Sequence, residues 1–179
     1  METTIAQKPL KVKHSYGILL YRYNAKGKLE IFLGEANNPR YWTRKGAHWG
    51  IPKGRADKGE KGLETALREF EEEVGIPAPD LNYEKMMKFN TPHHKRITVF
   101  IANAENAEVA YGKSMIHRVE YPANSGVFLD YPELSDAQWF TKKKALKRVM
   151  WGQKGLVQLF FSMQERIESE QLELQLVSY

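Results

Sequence analysis

The chain has 179 residues, 42% of them apolar and 12% aromatic, which suits one compact domain with a buried core and argues against intrinsic disorder. It contains no cysteine, which excludes disulfides, thiolate metal sites and a cysteine nucleophile together. The net charge of +5 is unevenly placed: Glu64, Glu69, Glu71, Glu72 and Glu73 crowd one short segment against the single cation Arg68, so the remainder is more basic still. The longest apolar stretches, Gly17–Tyr21 and Val99–Ala102, are far too short to span a bilayer, and Met1–His14 has no apolar run of signal-peptide length. A soluble cytoplasmic protein with no membrane partner is expected, folded as one domain over 1–179 with a flexible N-terminus over 1–13.

His14–Tyr23 (HSYGILLYRY) and Leu29–Gly34 (LEIFLG), joined by the turn Asn24–Lys28 (NAKGK), read as a hairpin. Asn37–His48 is a polar and aromatic loop. Trp49–Pro52 is a short strand-like piece, and Lys53–Gly62 a glycine-punctuated loop. From Leu63 to Val74 the apolar residues Leu63, Ala66, Leu67, Phe70 and Val74 recur at helical spacing, and Gly75 is a natural C-terminal stop with Pro77 beyond it. Strands are expected at Lys85–Asn90, Arg96–Ala102, Gly126–Leu129 and Ala137–Phe140. The end reads as helical over 142–171: Lys142–Met150, a break at Gly152, then Leu156–Gln171. Strands mixed with helices at this length indicate an α/β or α+β fold.

The chemistry concentrates in Gly54–Ile76 (GRADKGEKGLETALREFEEEVGI). Glu69, Glu72 and Glu73 stand at i, i+3 and i+4, so one helix face presents three carboxylates toward solvent. Like charges at these spacings repel by a few tenths of a kcal/mol per pair. Arg68, at i−4 from Glu72, can hold that carboxylate through an ion pair. Three hard oxygen donors on a helix pinned by its apolar stripe suit magnesium, which prefers carboxylate and phosphate oxygens. Gly54, Gly59 and Gly62 let the preceding loop turn tightly and a substrate approach the backbone. A solvated acidic helix face is the plain alternative.

This segment resembles a complete Nudix box: a glycine, five residues, a glutamate, seven residues, then Arg-Glu-apolar-x-Glu-Glu-x-Gly-apolar. Gly54, Glu60, Arg68, Glu69, Phe70, Glu72, Glu73, Gly75 and Ile76 match it without departure. From average composition a chance match in such a chain is on the order of 10⁻⁷, so the plain alternative is set aside. The resemblance implies a Nudix-type α/β/α sandwich with a mixed sheet and a loop–helix–loop catalytic motif. It also implies metal-dependent hydrolysis of a phosphoanhydride, with Glu69, Glu72 and Glu73 holding Mg2+ (or Mn2+ in its place). Arg68 would orient a glutamate, while Glu60 and Gly75 would brace the motif. The proton acceptor would be Glu69 or Glu133, the latter in a stretch like the family's late acidic loop. The segments SYGILLYR, WGIPKG, FEEEVGI and DAQWFTKKKA resemble a bacterial branch of the family, in which Tyr121–Leu129 (YPANSGVFL) looks like a linker.

The entry WGIPKG is similar to that of hydrolases of diadenosine tetraphosphate and related dinucleoside polyphosphates. On that resemblance Lys53 and Gly54 lie at the mouth of the metal site, and a nucleotide or polyphosphate is the expected partner. His94, Lys95 and Arg96, with His93, form a basic cluster suited to distal phosphates or, equally, a soluble turn. Tyr41, Trp42 and Trp49 are the aromatics expected to stack on a base, with Tyr111 and Tyr131 behind them and Trp139 read as core. Two other readings remain open. One is a Nudix enzyme for nucleoside triphosphates, capped RNA or a sugar-linked diphosphate. The other is a non-catalytic nucleotide- or RNA-binding module, for which the basic run Lys142–Arg148 (KKKALKR) makes nucleic acid possible but not favoured.

Overall fold

The computed structural model describes residues 13–39, 48–83, 85–91 and 95–177. β1 (Lys13–Tyr23) and β2 (Leu29–Ala36) form the expected hairpin. Asn24 Oδ1 accepts the N–H groups of Lys26 and Lys28, and Gly27 takes φ +66°, which closes the turn. The two strands pair only where Tyr21–Tyr23 meets Leu29–Ile31, and then part. The segment from Trp49 to Gly54 fills the gap: β3 (Trp49–Gly50) pairs with β2, and β4 (Lys53–Gly54) with β1. Gly17 makes room for it, because a Cβ there would stand 2.4 Å from the Pro52 carbonyl oxygen and 2.6 Å from Lys53 Cβ.

β6 (Lys95–Asn103) runs parallel to β1, β5 (Lys85–Asn90) lies antiparallel to β6, and β9 (Leu134–Thr141) antiparallel to β2. The result is a mixed seven-stranded sheet. Helices cover both faces. On one, Ala66, Phe70 and Val74 of α1 (Gly62–Val74) pack against Ile18, Leu20 and Phe32. On the other, α2 (Lys142–Arg148) and α3 (Trp151–Val177) bring Ala145, Leu156, Phe160 and Phe161 onto Leu19, Ile31 and Leu33. Burial on both faces explains why the middle of β1 reads as an unbroken apolar run. The expected α/β/α sandwich is what the chain forms. Among the described residues no helix is long and apolar enough to cross a membrane.

Three expectations are corrected. β7 (Ile116–Glu120), in a stretch where no strand was expected, pairs with β8 (Phe128–Pro132) as a separate two-stranded sheet. Tyr121–Leu129 is therefore the tip and second arm of a hairpin, not a linker, with Asn124 (φ 63°) and Gly126 (φ +72°) in its turn. The helix break falls at Val149–Met150, and Gly152 lies within the first turn of α3. A first-turn glycine interrupts little, since the leading N–H groups of a helix have no intrahelical partner anyway.

α3 also secures the inserted segment. Gln153, 3% exposed, accepts the Ile51 N–H at 2.8 Å through Oε1, and the Met150 N–H donates to the Trp49 carbonyl at 2.8 Å. Replacing Gln153 by Ala strands a buried backbone donor, so Gln153→Ala is expected to lower unfolding free energy by about 1–3 kcal/mol in denaturant titration.

Candidate active site

The loop Arg55–Lys61 and helix α1 are organised around Arg68. Its Nε donates to Glu60 Oε1 (2.9 Å), and Nη2 to Glu60 Oε2 and the Arg55 carbonyl (both 3.0 Å). Nη1 meets Glu72 Oε2 at 2.9 Å and Glu69 Oε1 at 3.0 Å. One guanidinium thus joins three carboxylates to the loop backbone, as its planar fork of donors allows. Glu60 also accepts the Asp57 N–H and the Thr65 hydroxyl, both at 2.9 Å. These hydrogen bonds, that of Arg68 foremost, pull its carboxyl down to about 2. Gly75 ends α1 in the left-handed region (φ 82°), its N–H bonded to the Glu71 carbonyl.

The three helix glutamates sit in three different settings, and are less open to solvent than their charge suggests. Glu73 is buried; its Oε2 accepts the Lys53 N–H at 2.9 Å, and desolvation raises its pKa to about 8, with Lys53 opposing and Glu133 and Glu69 adding to the rise. Glu69 is half-buried and its pKa is also raised, by burial first and against the pull of Arg68. Its carboxylate lies against the Cα of Gly54, where a Cβ would come within 1.9–2.1 Å of it. Glu72 faces a neighbouring groove with Arg68, Lys113 and Met115.

A cleft of about 210 Å³ lies between β2, the inserted segment and the β8–β9 junction, and Lys53, Glu73, Tyr131 and Glu133 line it. Glu133 is held by its backbone, donating to the Met115 carbonyl (3.3 Å) and accepting from the Asn37 N–H (2.9 Å). The strap Gly112–Met115 crosses the end of α1: Gly112 N–H donates to the Val74 carbonyl and Met115 N–H to that of Glu72. Buried Ser114 accepts the Leu134 N–H at 3.1 Å, and the Tyr111 hydroxyl donates to the Leu134 carbonyl at 2.7 Å. Glu72 and Glu133, 61 residues apart in sequence, are therefore tied through one short segment.

The other expected contacts fare differently. Trp49 is 4% exposed and meets Phe140 edge-on at 4.7 Å, so no face is open to a base; this aromatic is core, which corrects the stacking expectation. Tyr111 is taken up by the strap. Tyr131 is mostly buried but lines the cleft. Trp139 is half-buried, with the Arg22 guanidinium 4.2 Å over its ring. Lys95 and Arg96 begin β6, exposed and away from the Glu73 cleft, with Arg96 Nε donating to Asn90 Oδ1 at 3.3 Å. Tyr41, Trp42, His93 and His94 lie outside the described residues. Residues that sequence reasoning missed are Ser114, Gln153 and His117, whose Nε2 is 2.9 Å from Glu133 Oε2. None stands in a motif, and each matters only through a contact distant in sequence.

The donor set of Glu69, Glu72 and Glu73 fits a hard divalent cation in type, being all oxygen and net negative. A buried carboxyl with a pKa near 8 is also one that a cation would relieve. The side chains are not gathered for it: among the described residues no three acidic or histidine groups stand close enough to hold an ion. Arg68 and Lys53 compensate the charge instead.

A family model described as the NUDIX domain matches residues 13–160. The chain belongs to the Nudix hydrolase family. Its fold is that of solved members, including the Ap4A hydrolase of C. elegans in a binary complex (21% identity, TM-score 0.59, 84% of this chain and 98% of that one). RenU of M. smegmatis is similar at 18% identity and TM-score 0.57, covering 87% of each chain. Among curated proteins, the asymmetrical bis(5'-nucleosyl)-tetraphosphatase of Rattus norvegicus is 62% identical over 34 residues, 19% of this chain. That of Caenorhabditis elegans is 38% identical over 65 residues, 36% of this chain. These matches span 23% and 42% of those relatives' lengths.

Glu73 ties the site to stability. Its folded pKa of about 8 lies above the 4.5 of an ordinary glutamate, so between these values the unfolded chain has released a proton that the folded one keeps. Stability of the metal-free protein is expected to fall as pH rises from 5 to 8, by at most about 1.4 kcal/mol per unit from this group. Glu73→Gln, which keeps the neutral shape, should flatten that slope in denaturant titrations with chelator present. Glu60 has the opposite sign: its stabilisation is complete above pH 4.5 and is lost as pH falls toward 2.

Proposed function

We propose that the protein hydrolyses a phosphoanhydride bond of a dinucleoside polyphosphate such as diadenosine tetraphosphate, in a reaction that depends on Mg2+. The observation that carries this reading is the convergence of buried Glu73, Lys53 and Glu133 on one cleft beside the Arg68-braced glutamates. The partial likeness to asymmetrical bis(5'-nucleosyl)-tetraphosphatases favours that substrate class over other polyphosphates.

In this reading Glu69, Glu72 and Glu73 hold the cation. When bound, it neutralises phosphate oxygens and lowers the pKa of the attacking water. Lys53, whose backbone is anchored to Glu73, meets a polyphosphate at the cleft mouth and adds fixed positive charge. Glu133 accepts the proton of the attacking water. It lines the cleft without pairing to Arg68, whereas Glu69 is engaged by that guanidinium. Arg68 and Glu60 keep the carboxylates in register.

Diadenosine tetraphosphate with Mg2+ is expected to yield mononucleotide products by chromatography. Glu72→Gln and Glu73→Gln should abolish turnover, and Glu133→Gln should lower kcat by about 10²–10⁴. No turnover of any dinucleoside polyphosphate would sink the substrate assignment. Turnover of nucleoside triphosphates, capped RNA or ADP-ribose in the same panel would redirect it within the family, and lack of divalent binding would favour a non-catalytic module. Gly54→Ala, which drives Glu69 from its seat, should weaken divalent-cation binding in calorimetry while the fold persists.

A further inference from the structure

Glu133 stands between β8 and β9. The group that reaches it comes from the β7–β8 hairpin. His117 lies opposite the cleft-lining Tyr131 in that hairpin and brings Nε2 to 2.9 Å from Glu133 Oε2. The contact has ion-pair distance but not hydrogen-bond alignment, and the Nε2 atom is buried with no other hydrogen-bond partner. The two side chains are otherwise 44% and 40% exposed, and a ring nitrogen facing a carboxylate at this distance is favourable as an N–H donor, whereas its lone pair would repel the oxygen.

The strap makes this meeting reproducible. Met115, two residues before His117, donates its N–H to the Glu72 carbonyl and accepts the Glu133 N–H, while Ser114 takes the Leu134 N–H. The backbones on both sides of the pair are thus fixed by the same few bonds. We propose that His117 is a positioning residue for Glu133, its Nε2 edge holding one carboxylate oxygen so that the other points into the cleft. Its role rests on Glu133 as proton acceptor, the reading given above. A hairpin that no part of the box motif contains then becomes part of the catalytic apparatus.

The test is a double-mutant cycle over His117→Ala and Glu133→Gln, together with NMR of the imidazole nitrogens in the free protein. His117→Ala should lower kcat about tenfold with KM unchanged, as loss of a supporting partner does. His117→Gln, whose amide nitrogen can donate from a similar place, should recover most of the loss. In the Glu133→Gln background, His117→Ala should change kcat no further. In the free protein, Glu133→Gln should shift the His117 ring nitrogen resonances. A wild-type kcat in His117→Ala, or effects of the two substitutions that multiply, overturns the positioning role. Unmoved ring resonances overturn the pairing itself, whatever the substrate. If the wild-type protein turns over nothing in the panel, the hydrolase reading fails, and the positioning role with it, while the ring resonances still decide the pair.

Discussion

The structure depends on carrying three carboxylates on one helix that is partly withdrawn from water. Burial costs a charged carboxylate heavily, and neighbouring carboxylates add to that cost. α1 solves this by giving each glutamate a different support. Glu72 shares Arg68, Glu69 shares it too while occupying the space left by Gly54, and Glu73 accepts a backbone N–H while burial raises its pKa. Arg68 is the centre of the arrangement, because it reaches Glu60 and the Arg55 carbonyl with the donors it does not use on the helix. Its pKa is raised, by Glu60 above all, so it stays charged at any accessible pH.

Two short segments transmit this arrangement to the rest of the fold. The inserted piece from Trp49 to Gly54 is locked into the sheet by β1 and β2 and from the far face by Gln153 of α3, so Lys53 and Gly54 meet α1 at a fixed depth. The strap Gly112–Met115 caps the other end of α1 and carries Glu133 and His117 with it. Gly75 is indispensable to that second joint twice over. Its positive φ ends the helix, and a Cβ there would come within 2.2–2.4 Å of the Lys113 backbone. Helix, strap and cleft are one mechanical unit, although the residues involved run from Lys53 to Gln153.

Much of this was legible in sequence. The hairpin turn at Asn24–Lys28, the amphipathic stripe of α1 and the Gly75 stop follow from local rules that the structure obeys. The box residues were identifiable because several unlike constraints fall in one contiguous stretch. What escaped depends on distant contacts. β7 has no clean alternation of apolar and polar residues, since one of its faces packs on little and leaves Ile116 and Phe128 exposed. Trp49 resembled a surface aromatic because its neighbours are polar loop residues. Only the bridge to Val149 and the contact with Phe140 place it in the core. The burial of Glu73 was hidden for a similar reason. Helical spacing shows which residues share a face, but not that β4 will be laid over it.

Glu60 and Glu73 show how far environment outweighs residue type. Both belong to the same box, thirteen residues apart, and both are glutamates. Glu60 gathers donors from Arg68, Asp57 and Thr65, so its charge is held in place at any pH above about 2. Glu73 is buried and accepts one N–H, and desolvation raises its pKa to about 8. The first behaves as a fixed brace. The second is held neutral up to that pH by its burial. A site built only of saturated carboxylates like Glu60 would be rigid and inert toward metal. One built only of buried carboxylates like Glu73 would be neutral near pH 7. Arg68 ties Glu60, Glu69 and Glu72 into a stable frame, and Glu73, outside that frame, is the helix glutamate that lines the cleft shared with Lys53 and Glu133.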